Sequence, residues 1–227
     1  MKKIKKEIRK KRVSNLTFVG VFLLGCGFIL FFFHQPILVG AGKFLAPEGK
    51  GRADVVILEG SELIRENAVR IGLGIISSGE AKRLVVVYHN SEEEKIFGRP
   101  SDFDHFLIQK LEDHGLKKEQ IKVIAVPKDH PITLTEAQIV LSSLSTDGTR
   151  SAILLAEDFH TRRSYWAYKK VGFPLGIEII PYPYFSGFRN ENWWHQVQGV
   201  RDFIMESVKF FYYILCGYIP VKSLVMT

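Results

Sequence analysis

Residues 152–172 read AILLAEDFHTRRSYWAYKKVG, and three textures follow one another in them. Ala152–Ala156 is a short apolar run of the kind buried on both faces of a parallel sheet, Glu157-Asp158-Phe159 interrupts it, and His160–Val171 has the make-up of a helix ending at Gly172. The same unit recurs on both sides. Upstream, Ile121–Val126 precedes a helix over Thr133–Leu144. Lys82–Tyr88 precedes one that begins at Ser101, with Asp104 as an acidic capping-box partner, and ends at Gly115. Ala53–Leu58 precedes a helix from Ser61 to about Ser77, with Leu63, Ala68, Ile71 and Ile75 on one side. Downstream, Gly176–Ile180 is a fifth strand, and a last helix runs from about Asn192 to Cys216. Each crossover must carry a helix back over the sheet, so the pattern predicts one α/β domain over residues 53–217. That domain is Rossmann-like and doubly wound, with a mostly parallel five-stranded sheet.

Charge is distributed unevenly. The chain has 227 residues and a formal net charge of +7. The tail 1–12 holds eight basic side chains and one acid, while the other 215 residues hold 23 of each sign. Nucleic-acid binding requires a basic face on the folded domain, and no such surplus exists. From Val13 to Gly42 there is no Asp, Glu, Lys or Arg. The eighteen residues Leu16–Phe33 cover roughly 27 Å as a helix, enough to span a bilayer. Residues 13–39 are therefore read as one N-terminal transmembrane helix, the chain's contact with the lipid bilayer, with the N-terminus cytoplasmic and the domain outside. Val39-x-Ala41 resembles a signal-peptide cleavage site, but the apolar run exceeds a usual signal core. Leu23-Leu24-Gly25-Cys26 resembles a lipobox; processing there would leave a second greasy segment that a lipid anchor makes unnecessary. Residues 40–52, rich in Gly and Pro, read as a linker, and 218–227 as a tail. Two cysteines make no disulfide framework.

In open α/β sheets, ligands bind beyond the carboxyl ends of the strands, where neighbouring crossovers diverge. The segments leaving the first four strands contain Glu59-Gly60-Ser61, His89-Asn90, His130 and Asp158-Phe159-His160. The last is the sharpest. Helix N–H groups, His160 and, one turn on, Arg163 converge there on a place for an anion, the alternative being that Asp158 only caps the helix. Neither GxGxxG, a Walker loop, a nucleophile elbow nor HExxH is present.

Five stretches carry a family resemblance: ADVVILEGS, ENAVRIGLGIISSGEAKRLVVV, TLTEA, FHTRRSYWAYKKVG and ESVKFFYYILCGYIP. In this order and spacing they resemble the YdcF-like domain family. The resemblance implies a Rossmann-like domain, often behind one membrane helix, in proteins of the bacterial envelope. It marks Gly60, Arg70, Thr133, Glu136, His160 and Arg163 as pocket residues, with Thr133 and Thr135 interchangeable in register. Glu59 stands where the family commonly has glycine.

The combined expectation is a single-pass protein of the bacterial cytoplasmic membrane whose outer domain binds a small anionic ligand, phosphorylated, nucleotide-like or lipid-linked, in envelope biogenesis or maintenance. As an enzyme it would use His160 as acid or base, with Glu136 a second catalytic candidate and Arg163 as clamp. A noncatalytic sensor using the same pocket is the alternative. A metal-dependent hydrolase drawing on Asp158, His160, His130 and His89 is the third, and no cofactor is specified by any motif.

Overall fold

The computed structural model describes residues 2–61, 64–90 and 103–225, in two compact units, Met1–Ala41 and Gly42–Thr227. In the second unit, five strands alternate with helices: β1 Val55–Ser61, β2 Arg83–Asn90, β3 Ile121–Pro127, β4 Ser151–Glu157 and β5 Glu178–Tyr184. All pairings are parallel, in the order β3-β2-β1-β4-β5. The chain winds outward from β1 in one direction and then returns to the other side of β1 for β4. The crossovers therefore diverge between β1 and β4, which makes that edge the expected binding crevice.

The helices are α1 Lys2–Leu45, α2 Glu66–Ser77, α3 Phe103–Asp113, α4 Ile132–Thr146, α5 Thr161–Leu175 and α6 Val197–Leu215. Both faces of the sheet are covered. Val55, Ile57, Val85 and Leu154 pack with Ala137, Val140, Leu141 and Leu144 of α4 and Tyr168 of α5. Val56, Leu58, Leu84 and Ile153 pack with Ala68 and Ile75 of α2 and Leu111 of α3. This two-sided burial explains why the strands read as unbroken apolar runs. Pro181 and Pro183 sit in β5, an edge strand paired only with β4, where a missing N–H costs no ladder bond.

Several boundaries depart from the sequence reading. Ser61, expected to begin a helix, ends β1, because pairing with β2 resumes at Ser61 after an irregularity that follows Leu58. Gly172 does not end α5. A Cβ there would lie 2.8 Å from the Ile177 carbonyl oxygen, so glycine serves a close helix–strand approach, and the left-handed stop falls at Gly176, φ +67°. The last helix starts at Val197, after a 3₁₀ turn at Trp193–His195. Ser101, the expected helix start ahead of α3, lies outside the described residues.

The linker is shorter than expected. α1 continues to Leu45, Leu45 and Ala46 are buried, and Phe44 meets Phe210 of α6 edge-to-face at 5.8 Å. The 218–227 tail is also folded in, with Ile219 and Ser223 buried. Ser223 O accepts from the buried Arg162, whose Nη1 reaches Phe44 O at 2.8 Å. In the first unit, the exposed side chains of α1 include Phe18, Phe22, Phe28 and Phe31. Among the described residues no single helix is long and apolar enough to cross a membrane. The pair Thr17–Ile29 and Phe31–Leu45, bent by 60°, passes together by length and composition. The break falls between Ile29 and Phe31, upstream of the Phe32 carbonyl that Pro36 leaves without a helical donor.

Leu141 is fully buried in the α4 face of the core, whereas Phe106 on α3 is exposed. Leu141→Ala should cost about 2–5 kcal/mol and Phe106→Ala less than about 0.5 kcal/mol, read as shifts in urea-unfolding midpoint. Equal shifts would contradict the two-faced packing.

Candidate functional site

Beneath the crevice a single carboxylate gathers four elements. Glu136, on the first turns of α4, is 1% exposed. Its Oε1 accepts from the Gly60 N–H at 3.1 Å and from the Tyr168 hydroxyl at 2.6 Å, and its Oε2 lies 2.7 Å from His89 Nε2. The end of β1, the end of β2, α4 and α5 are thereby fixed to one another. Glycine is required at 60, because a Cβ would stand 2.7 Å from Glu136 Oε2 and 2.9 Å from His89 Nε2. Burial, reinforced by the Glu136 charge, holds the Tyr168 hydroxyl well above its ordinary pKa, so it stays a donor. Glu136, expected as a second catalytic candidate, is thus buried with both carboxylate oxygens engaged and is not among the residues lining the cleft above.

Above this lies an open cleft of about 780 Å³ between the β4–α5 turn and α6, lined among others by Arg65, Asp158, His160, Arg163, Arg201 and Glu206. Arg163 is buried, with Nη1 donating to Thr133 Oγ1 at 2.6 Å and Nε to Glu206 Oε2 at 3.0 Å. Thr133 is therefore the threonine that touches the site, while Thr135, one helical position off that face, has only partial burial. His160 Nε2 is 2.9 Å from Glu59 Oε1, and its Nδ1 is 3.3 Å from Glu206 Oε2. Residues leaving β1 and β4 meet at the switch point, as the topology requires.

Electrostatics sharpen the picture. Burial pushes the His160 imidazole down and Arg163 opposes its charge, but Glu59 and Glu206 outweigh both and raise it to about 9. For Glu206 burial would raise the carboxyl; the opposing charges of His160 and Arg163 and a hydrogen bond from Lys209 hold it well below the usual range. Asp158 is pushed up to about 7, by burial first and then by Glu157 and Asp202. Its backbone is left-handed, φ +49°, at the turn into α5. Asp158 Oδ1 and Glu59 Oε2 are buried with no hydrogen-bond partner among the described residues.

Arg163 Nη2 lies 2.7 Å from His160 Nδ1, a contact that suits a neutral ring with its proton on Nε2. The flanking carboxylates favour the imidazolium instead, and with two of them in contact the raised pKa is the direction that holds. At neutral pH His160 is then a cationic donor rather than a base. Ser164 Oγ is 2.9 Å from His160 Nε2, so Ser164, His160 and Glu206 have the connectivity of a hydroxyl–imidazole–carboxylate relay. Ser164 is fully buried and donates to Glu59, so its oxygen is not presented to a ligand.

The other expected residues scatter. Arg70 does not join the cluster; it is three-quarters exposed on α2 and pairs with Glu66 one turn earlier at 2.7 Å. His130 is exposed and is not among the cleft's lining residues. Ser61 and Asn90 end β1 and β2, and their side chains lie outside the described part. Sequence reasoning passed over Glu206, Tyr168 and Ser164 as site members. Glu206 carried a signal, being a lone acid in register with Phe203, Phe210 and Tyr213 on the inward face of α6. Among the described residues no group of three or more His, Cys, Asp or Glu is placed to hold a metal ion. The chain matches no family model, no curated protein and no solved structure.

A group whose folded pKa is raised contributes stability below its unfolded value, lost as pH rises through the folded one. Wild type should therefore lose stability relative to His160→Gln between pH 6.5 and about 9. Paired thermal melts across that range test this, and a pH-independent difference would contradict the ion pairing.

Proposed function

We propose that this chain is a membrane-anchored, extracytoplasmic YdcF-like protein of the bacterial envelope that binds a small anionic ligand, phosphorylated or nucleotide-like, at the first turn of α5. The carrying observation is the convergence of His160 and Arg163, one turn apart, on a cleft whose walls add Arg65, Arg201 and Lys209. Five carboxyls face these five cations: Glu157, Asp158, Asp202 and Glu206 in the lining, and Glu59 at 2.9 Å from His160. Asp158 sheds part of its charge near neutrality, which tips the balance to the positive side. The N-terminus of a fifteen-residue helix adds its own positive field. The uncharged run behind eight basic residues supports the anchor and its orientation.

Binding without turnover, the sensor reading, is favoured by the state of the reactive groups. Ser164 is buried, Glu136 is fully engaged, and His160 is held between carboxylates. A ligand enters this cluster by exchanging with Glu206 for the Arg163 guanidinium.

Removing that competitor and removing the guanidinium should act in opposite directions. With inorganic pyrophosphate as probe in calorimetric titration, Arg163→Ala should weaken binding by about ten- to a hundredfold, a loss of one or two charge-assisted hydrogen bonds. Glu206→Gln should tighten it. Unchanged affinity in a folded Arg163→Ala protein would remove the anion site.

A further inference from the structure

α6 has two faces of opposite fate. Glu206, Phe210 and Tyr213 are buried against the domain, whereas Ile204, Met205, Val208, Phe211, Tyr212 and Leu215 are exposed, the last at 85%. At 3.6 residues per turn these six occupy one arc of roughly 120° along three turns of the helix. The exposed charges of this helix are Arg201 and Lys209, both positive; Asp202 is half-buried and Glu206 buried, all four line the cleft, and Lys209 pairs with Glu206 at 2.8 Å. Phe44 stands two residues beyond the end of the uncharged run Val13–Gly42, and its ring packs on Phe210 in the middle of α6.

We infer that the exposed stripe of α6 lies in the interfacial layer of an anionic bilayer, as a second membrane contact of the folded domain. The inference rests on the anchor reading above, since α6 packs through Phe210 on Phe44, two residues past the uncharged run. Its composition is what such a layer selects. Aliphatic and aromatic side chains enter the acyl boundary, Tyr212 presents a hydroxyl at headgroup depth, and Arg201 and Lys209 meet lipid phosphates. Asp202 and Glu206, which would be repelled, are the less exposed charges of α6. A second copy of the chain is the competing occupant, but self-association gives no reason for both exposed charges of α6 to be basic. Met205 belongs both to the stripe and to the cleft lining, so the mouth of the candidate site opens beside the lipid surface.

The test uses the full chain in nanodiscs of phosphatidylethanolamine and phosphatidylglycerol, in a Cys26→Ser, Cys216→Ser background. The fluorophore NBD is placed at Val208→Cys and, in a second protein, at Phe211→Cys, both exposed positions that tolerate a label. A control label sits at Lys118→Cys, in the exposed turn before β3. Doxyl-labelled lipid should cut emission at 208 and 211 to about half or less and leave 118 unchanged, as expected for side chains at the acyl boundary. Absence of quenching in discs that retain the protein overturns this inference and leaves the anchor standing. Failure of the chain to co-elute with discs overturns the anchor and this inference together. Blue-shifted but unquenched emission with intermolecular crosslinking through 208 assigns the face to a second copy and likewise overturns it.

Discussion

The buried carboxylate of Glu136 is the constraint from which the rest of the site follows. A charge taken out of water is tolerated only when hydrogen bonds replace its hydration, and Glu136 receives them from Gly60, Tyr168 and His89. Bonds of this kind contribute about 1.5–3 kcal/mol each. The larger effect is geometric. The hydroxyl of Tyr168, on α5, is pinned to α4, and the first turn of the same helix, with His160 and Arg163, lines the crevice. Gly60 lets the end of β1 come close enough for Glu59 to meet His160. A side chain at position 60 would displace Glu136 and His89 and, through them, the helix that carries the cations.

The upper network has a different character. Glu136 is closed and fully satisfied, whereas Glu59 and Asp158 each keep a buried oxygen without a partner among the described residues. Arg163 shares Glu206 with His160 and Lys209. Unfulfilled acceptors and shared donors at a strand edge are costly to fold and easily rearranged, the opposite of a packed core. That contrast is why the proposed ligand exchange is assigned to the Glu206–Arg163 pair, above the closed Glu136 network.

The fold was largely legible because it depends on patterns that one sequence carries in full: apolar runs of strand length, helical spacing between them, and a topology rule that puts strand ends on one edge. That rule put Glu59, His160 and Arg163 at one edge of the sheet, where they lie in contact with one another. Arg70 and His130 were misplaced because a family pattern or a loop address says nothing of where a side chain turns, and Arg70 turns to Glu66. Glu206 was missed since its partners lie more than forty residues away in sequence, and only packing of α6 across α5 brings them together. The linker was misread for a related reason. Phe44, Leu45 and Ala46 look like part of a Gly- and Pro-rich connector until Phe210 and Arg162 supply the surfaces that bury them.

The central claim, that the first turn of α5 holds an anion against His160 and Arg163, is tested most directly by locating a heavy anion. Crystals soaked in sodium tungstate should give their strongest anomalous peak in the cleft, within contact distance of the Arg163 guanidinium and the His160 ring, with Glu206 moved from Arg163. An empty cleft, or a strongest peak in the separate cavity between Lys43 and Arg189, would contradict it.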